Sequence, residues 1–303
     1  MPQLRFHHIT FNSLPLIMPY LRRSGSLSCD YTVGGIYLWI DWFRYEYSIY
    51  RHTLFVKGLA EDNAARTAFS LPIGELPIEE SVAVLKRYCS SEHLPLEFSA
   101  ITEERIDEFR EQNPLGIAPL EQWSDYLYSS QALATLSGHD LKKKRNHVSK
   151  FISSYPDYSL EPIDEANMKE VTQFFIDLCS RAGGHASGSM AAYERSQTLK
   201  ALHYYSRYDG IFHGLVLRAG SRVVAFAIGE VIDKVLHVHI EKADHSYAGS
   251  GEMINMSLVR HILNLFPEVE VVNRQDDAGD PGLRQSKQSY CPDRLLKKYN
   301  VIF

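Results

Sequence analysis

The chain has 303 residues, enough for two domains or one large one. Hydrophobic residues at 45% and aromatics at 12% supply a real core and exclude global disorder. A net charge of −5 excludes a generally basic nucleic-acid binder, so no DNA partner is expected and any other polyanion must meet a local patch.

The first stretch, "MPQLRFHHITFNSLPLIMPYL", has no basic region leading into a clean apolar run, so it does not read as a signal peptide. No segment approaches the roughly 20 apolar residues of a membrane span. Cys29, Cys89, Cys179 and Cys291 are far apart and form no CxxC pair, which argues against a zinc ribbon or disulfide scaffold. A soluble, cytoplasmic protein with no metal is expected. Strands are expected within 34–50 and at 53–59, both rich in aromatic and β-branched residues. Residues 78–93 carry early acids, late bases and apolar residues at helical spacing, which predicts a helix. A short strand in "PLEFSAI" then leads to Thr102, read as the N-cap of a helix over "EERIDEFREQ". The prolines and glycine of 113–125 suggest a boundary, dividing 1–124 from 125–303.

Beyond it the pattern reads helix over 130–156 with a break near Gly138, strand at "YSLEPI", and a helix after Asp164 as its cap. A loop "GGHASG" (183–188) and another helix follow, then a hairpin turning at Ala219-Gly220-Ser221. A further strand "KVLHVHIEKA", a helix from Gly251 and a last strand ending at Asn273 complete the order. That succession resembles the GNAT acyltransferase core, in which one strand and two helices precede three antiparallel strands, a helix and a final strand.

Gly249-Ser250-Gly251 stands at a strand-to-helix turn, where free amides and the positive end of the helix dipole can hold an anion. The alternative is that the glycines only ease the turn. The GNAT resemblance implies a coenzyme A pyrophosphate loop here, with Ser246 in place of its usual Gln or Arg. His237, His239 and Glu241 alternate along one strand and are expected on one face. They spread over about 13 Å, too far for one metal ion to meet all three. His239 and Glu241 are candidate general bases. Lys142, Lys143, Lys144, Arg145 and Lys150 put five cations into nine residues, either a solvated helix face or a patch for phosphates of a nucleotide or RNA.

The segment "NRQDDAGDPGLRQSK" (273–287) fails as an EF-hand loop, because Ala278 stands where the sixth-position glycine belongs and Arg284 where the terminal glutamate does. A network of paired charges among Arg274, Asp276, Asp277 and Lys287 is expected instead, as a brace or as a cleft lining.

Several segments together resemble a bacterial family grouped with the C-terminal domain of phosphatidylglycerol lysyltransferase. They are "KRNH" (144–147), "HIEKA" (239–243), "NRQDD" (273–277) and "SYCPDRLLKKY" (289–299), with the Gly249/Asn255 region between them. Gln275 departs from the family's usual glutamate and Cys291 from its commoner histidine. The resemblance implies an α+β protein with tandem GNAT-like domains, each a mostly antiparallel sheet flanked by helices, related to the Fem aminoacyl-tRNA-dependent transferases. It implies an acyl or aminoacyl transferase with no tightly bound cofactor. Its donor would be aminoacyl-tRNA or acyl-CoA and its acceptor a small-molecule or peptide amine. Glu241, His239, Tyr290 and Tyr247 are the candidate catalytic residues. Ser246, Gly249, Ser250, Gly251, Lys143, Lys144, Arg145, Arg274 and Lys287 are the candidate donor-binding ones. A GNAT-shaped binding module without catalysis is the reading from another class.

Overall fold

The structure, a computed structural model, describes residues 4–181, 183, 188–208 and 210–303. Most of the loop expected at 183–188 lies outside the described residues. The chain forms two compact units. The first comprises Met1–Asp125, Asp276–Asp280 and Leu295–Phe303, and the second Tyr126–Gln275 and Pro281–Arg294. A single cut at 124 therefore misses two returning segments.

The first unit is built on a mostly antiparallel sheet. Its strands run, in spatial order, His7–His8, Glu46–Tyr50, Thr53–Ala60, Asn63–Phe69, Glu97–Thr102, Lys298–Ile302 and Gly116–Pro119. The last stretch of the chain thus fills a gap between two earlier strands, pairing Tyr299 with both Ile101 and Pro119. Helix Ile78–Glu92 buries Val82, Leu85 and Tyr88, whose ring meets Phe69 edge-on at 6.1 Å. Strand Glu46–Tyr50 lies within 34–50 as expected, but the start of that stretch differs: Val33–Tyr37 is helical, capped by Thr32 Oγ1 accepting from the Gly35 amide. Thr102 ends a strand, while the helix it was to cap starts only at Ile106.

Buried polar groups gather in this unit. The Lys298 ammonium, 2% exposed, lies 2.8 Å from Asp125 and 2.7 Å from Asp30. Asp125 also accepts from the Cys29 amide at 2.9 Å and from its thiol at 3.4 Å. Burial first, then Asp125, pushes the Cys29 thiol well above its ordinary range, so it stays neutral. Cys29, Asp125 and Asp276 bring three possible metal ligands within 4.8 Å of one another. The Lys298 ammonium already supplies a positive charge beside Asp125 and Asp30 there.

The second unit carries the longer elements. Its sheet includes, in spatial order, Asp125–Ser129, Val271–Asn273, Val235–Ala243, Arg222–Ile232, Phe212–Ala219 and Tyr158–Pro162, among which the 235–243 and 271–273 strands run parallel. On one face, Leu215, Leu217, Ala225, Ala227, Leu236 and Val238 pack with Phe151 of helix Lys142–Ser154 and with Met253, Leu258 and Val259 of helix Ser250–Leu265. On the other, Phe174 and Phe175 of helix Met168–Arg181 meet Phe226 edge-on. Asp164 caps that helix, accepting from the Ala166 and Asn167 amides. Gly220 turns the hairpin with φ +59°, a conformation that favours glycine. Among the described residues no helix is long and apolar enough to cross a membrane.

Candidate functional site

The parallel strands 235–243 and 271–273 pair from Val235 and Val271 only as far as His237 and Asn273. Beyond that point the chains separate, and the gap is filled by side chains rather than by backbone bonds. Arg274 Nη2 lies 3.0 Å from Glu241 Oε1, and Asn255 Nδ2 donates to Glu241 Oε2 at 2.8 Å. The Arg274 guanidinium is 4.5 Å from the centre of the Tyr290 ring and 5.8 Å from that of Tyr128. Lys144 Nζ approaches the same Tyr290 ring to 4.1 Å. Two cations and one carboxylate therefore converge on one buried phenol.

A register shift in the central hairpin decides who shares this site. Gly229 pairs with Val238 and Ile228 with Ile240, which leaves His239 as the extra residue of a bulge. The bulge reverses the alternation beyond it. Val238 stays on the face of helix 250–265, and Glu241 reaches Asn255 of that helix. His239 contacts Glu230 at 3.2 Å and Phe212, while Lys242 bridges to Glu194 and lies over Phe175. The expected single-face stripe is thus corrected: His237 and His239 stack together, and Glu241 points through the opposite face. The His239 side chain is wholly buried, and its second nitrogen meets Gln275 Nε2 at 3.0 Å.

Gly249 has φ +89°, and a Cβ there would stand 2.2 Å from the His147 carbonyl oxygen. This glycine is needed for close packing onto helix 142–154. Gly249→Ala is expected to cost about 2 kcal/mol or more in urea unfolding, from strain and overpacking together. Gly251 has ordinary space around it, and Ser250 Oγ donates to the Asp244 carbonyl. Ser246 donates to Asp244 Oδ1 through both its amide and its hydroxyl, closing a local turn. Glu252 sits in the first turn of the helix, with Lys144 Nζ at 3.3 Å and His147 Nδ1 at 3.0 Å from Oε1.

Burial alone would raise the Glu252 carboxyl, but His147, its own amide and Lys144 bring it below the usual carboxylate range. Its stabilising effect is complete above the ordinary glutamate pKa and disappears as pH falls through the depressed folded value. Glu252→Gln should therefore flatten the acid side of a melting-temperature profile between about pH 5 and pH 3. Lys144 is lowered, chiefly by burial. Burial works against the Arg274 guanidinium, yet Glu241 and the two phenols hold it firmly charged. Burial pushes the Tyr290 and Tyr128 hydroxyls up, so both remain protonated donors.

The other expected residues lie elsewhere. Arg145 donates to the carbonyls of Leu136 and Gly138, finishing the short helix before it. Lys143 is exposed on its helix. Lys287, on helix Pro281–Gln288, lies over the Tyr126 ring, and its carbonyl accepts from the Tyr128 hydroxyl at 2.8 Å. Arg274 pairs with Glu241, whereas Asp276 and Asp277 accept from the amides of Ala278 and Gly279 in a turn. Tyr247 packs on Tyr155 and lines a separate cleft of about 800 Å³ with Ser246, Arg181 and Arg222. Sequence reasoning passes over Tyr128 and Glu252. An acid in the first turn of a helix is a readable signal for Glu252, whereas nothing local distinguishes Tyr128 from a core tyrosine.

The sequence profile of the family described as "Phosphatidylglycerol lysyltransferase, C-terminal" matches residues 21–302. The chain belongs to this family. It is 27% identical over 186 residues to an uncharacterized protein of Mycoplasmoides gallisepticum, covering 60% of this chain and 56% of that protein. The chain thus spans little more than half the length of that relative. A conserved protein of unknown function from Bacteroides thetaiotaomicron superposes with TM-score 0.89 at 25% identity, covering 99% of this chain and all of that one. FemX superposes with TM-score 0.64 at 8% identity, covering 99% and 97% of the two chains, a likeness of fold. The fold is the mixed α+β, GNAT-like one, and the family is described by the name of a transferase.

Proposed function

We propose that this chain is a cytoplasmic transferase that moves an activated aminoacyl group from tRNA to an amine acceptor, a small molecule or a peptide. The observation that carries the choice of donor is the first turn of helix 250–265. In GNAT enzymes such a turn faces a coenzyme A pyrophosphate, but here it presents the Glu252 carboxylate and packs Gly249 onto the His147 carbonyl. A bound pyrophosphate would meet a negative charge at that place. Lys142, Lys143 and Lys150 are exposed on the neighbouring helix and suit phosphates spaced along an RNA.

The acceptor amine would attack the donor carbonyl beside Glu241, which takes up the amine's proton. Arg274 and Lys144 would stabilise the developing oxyanion, and the protonated Tyr290 hydroxyl would return a proton to the leaving ribose oxygen. His239, buried on the other face, would hold the strand in register through Glu230.

The test is direct. Purified chain is incubated with a mixed pool of radiolabelled aminoacyl-tRNAs, or with acetyl-CoA, together with candidate amines, and label transfer is followed. Transfer from tRNA alone supports the reading, and transfer from coenzyme A alone overturns it. Replacing Lys142, Lys143 and Lys150 by alanine together is expected to reduce the salt slope of tRNA binding by about one for each phosphate left without its lysine.

A further inference from the structure

Glu241 uses both carboxylate oxygens inside the protein, one on Arg274 and one on Asn255. That arrangement fixes the far atom of each partner. Arg274 Nη1, a donor, and Asn255 Oδ1, an acceptor, have no hydrogen-bond partner among the described residues. Both side chains are at least nine-tenths buried, Asn255 at 1% exposure and Arg274 at 9%. Helix 250–265 is buried continuously from Met253 to Val259, and an asparagine placed there leaves its carbonyl oxygen unpaired at a real cost. Buried polar atoms are otherwise nearly always satisfied, and exceptions cluster where a ligand completes them.

We infer that Arg274 Nη1 and Asn255 Oδ1 form one recognition pair for an α-aminoacyl group, and that Asn255 is the residue that distinguishes it from a plain acyl group. This rests on the transfer reading above. An α-aminoacyl ester offers an acceptor, its carbonyl oxygen, close to a donor, its α-ammonium. The carbonyl accepts from Arg274 Nη1, and the ammonium donates to Asn255 Oδ1 next to the negative charge of Glu241. An acetyl or fatty acyl group satisfies only the arginine and leaves the asparagine oxygen unpaired. A site built to bond a substrate N–H rejects the analogue lacking it far more strongly than an apolar pocket rejects a missing methylene. Both atoms are covered in the ligand-free fold, so neighbouring side chains must part when the ligand enters.

Calorimetric titration of the full chain with the amides of the common L-amino acids, each beside its des-amino and N-acetyl counterparts, tests this without requiring turnover. At least one free amino-acid amide should bind roughly ten- to a hundredfold more tightly than both of its blocked counterparts. Asn255→Leu should erase that ratio, and Arg274→Lys should weaken all three ligands together. Equal binding of the three, no binding by any amide, or an unchanged ratio in a folded Asn255→Leu protein would overturn the assignment, the two atoms then serving only a trapped water. The transfer reading fails separately. Selective amide binding without label transfer would sink that reading and leave the pair, whereas equal transfer from free and N-acetylated aminoacyl-tRNA would do the reverse.

Discussion

Replacing Lys298 by methionine is expected to remove about 3–5 kcal/mol of unfolding free energy, since it leaves a buried carboxylate without its partner. Asp125 is fully buried and its counter-charge is the lysine 2.8 Å away, with the Cys29 amide and thiol as further donors. Methionine fills much of the volume but none of the charge. In the variant, Asp125 can escape the penalty by taking a proton, which raises its folded pKa above the unfolded value. A group shifted that way stabilises the folded state at low pH and loses that effect as pH rises. The deficit, read as the change in urea midpoint at constant slope, should therefore shrink between about pH 8 and pH 5. Adding Asp125→Asn should recover part of it at pH 8. A deficit below about 1 kcal/mol, independent of pH, would show that Lys298 is only a surface-like pair.

Replacing Glu241 by glutamine is expected to lower kcat/KM for transfer by about 10²–10⁴-fold, the usual contribution of a general base. The change also strips the counter-charge from Arg274, so the melting temperature should fall as well. The two effects separate when rates are taken well below the melting point, with near-ultraviolet dichroism confirming native packing. A loss of less than tenfold in folded protein would reduce Glu241 to a brace for Arg274. Whichever result is found, His239→Gln serves as the contrast: its ring is wholly buried on the other side of the sheet, so stability should suffer before chemistry does.

Much of the second unit is legible in the sequence because its signals are local. Apolar spacing marks the helices beginning at Met168 and Ser250, Asp164 marks a cap, and Ala219-Gly220-Ser221 marks a hairpin turn. The family, too, is legible, from motifs at 144–147, 239–243 and 273–277, and the profile match over 21–302 agrees with it. The strand Lys298–Ile302 is not placed by the sequence: "KYNVI" carries three strand-favouring residues, but nothing local says that it pairs with strands that lie nearly 200 positions earlier in the chain. Helix Pro281–Gln288 is likewise hidden in a segment that reads as a charged loop.

What the sequence determined by itself is the set of chemical groups and the local elements that carry them: a carboxylate at 241, cations at 144 and 274, and a glycine before a helix. Those follow from composition, periodicity and capping, which act over a few residues. Which of the groups meet was decided by the tertiary structure alone. One extra residue in the pairing of 222–232 with 235–243 sends Glu241 to Asn255 and Arg274 and leaves His239 with Glu230. A bulge is a property of two strands held together, and a period of two read along one strand cannot contain it.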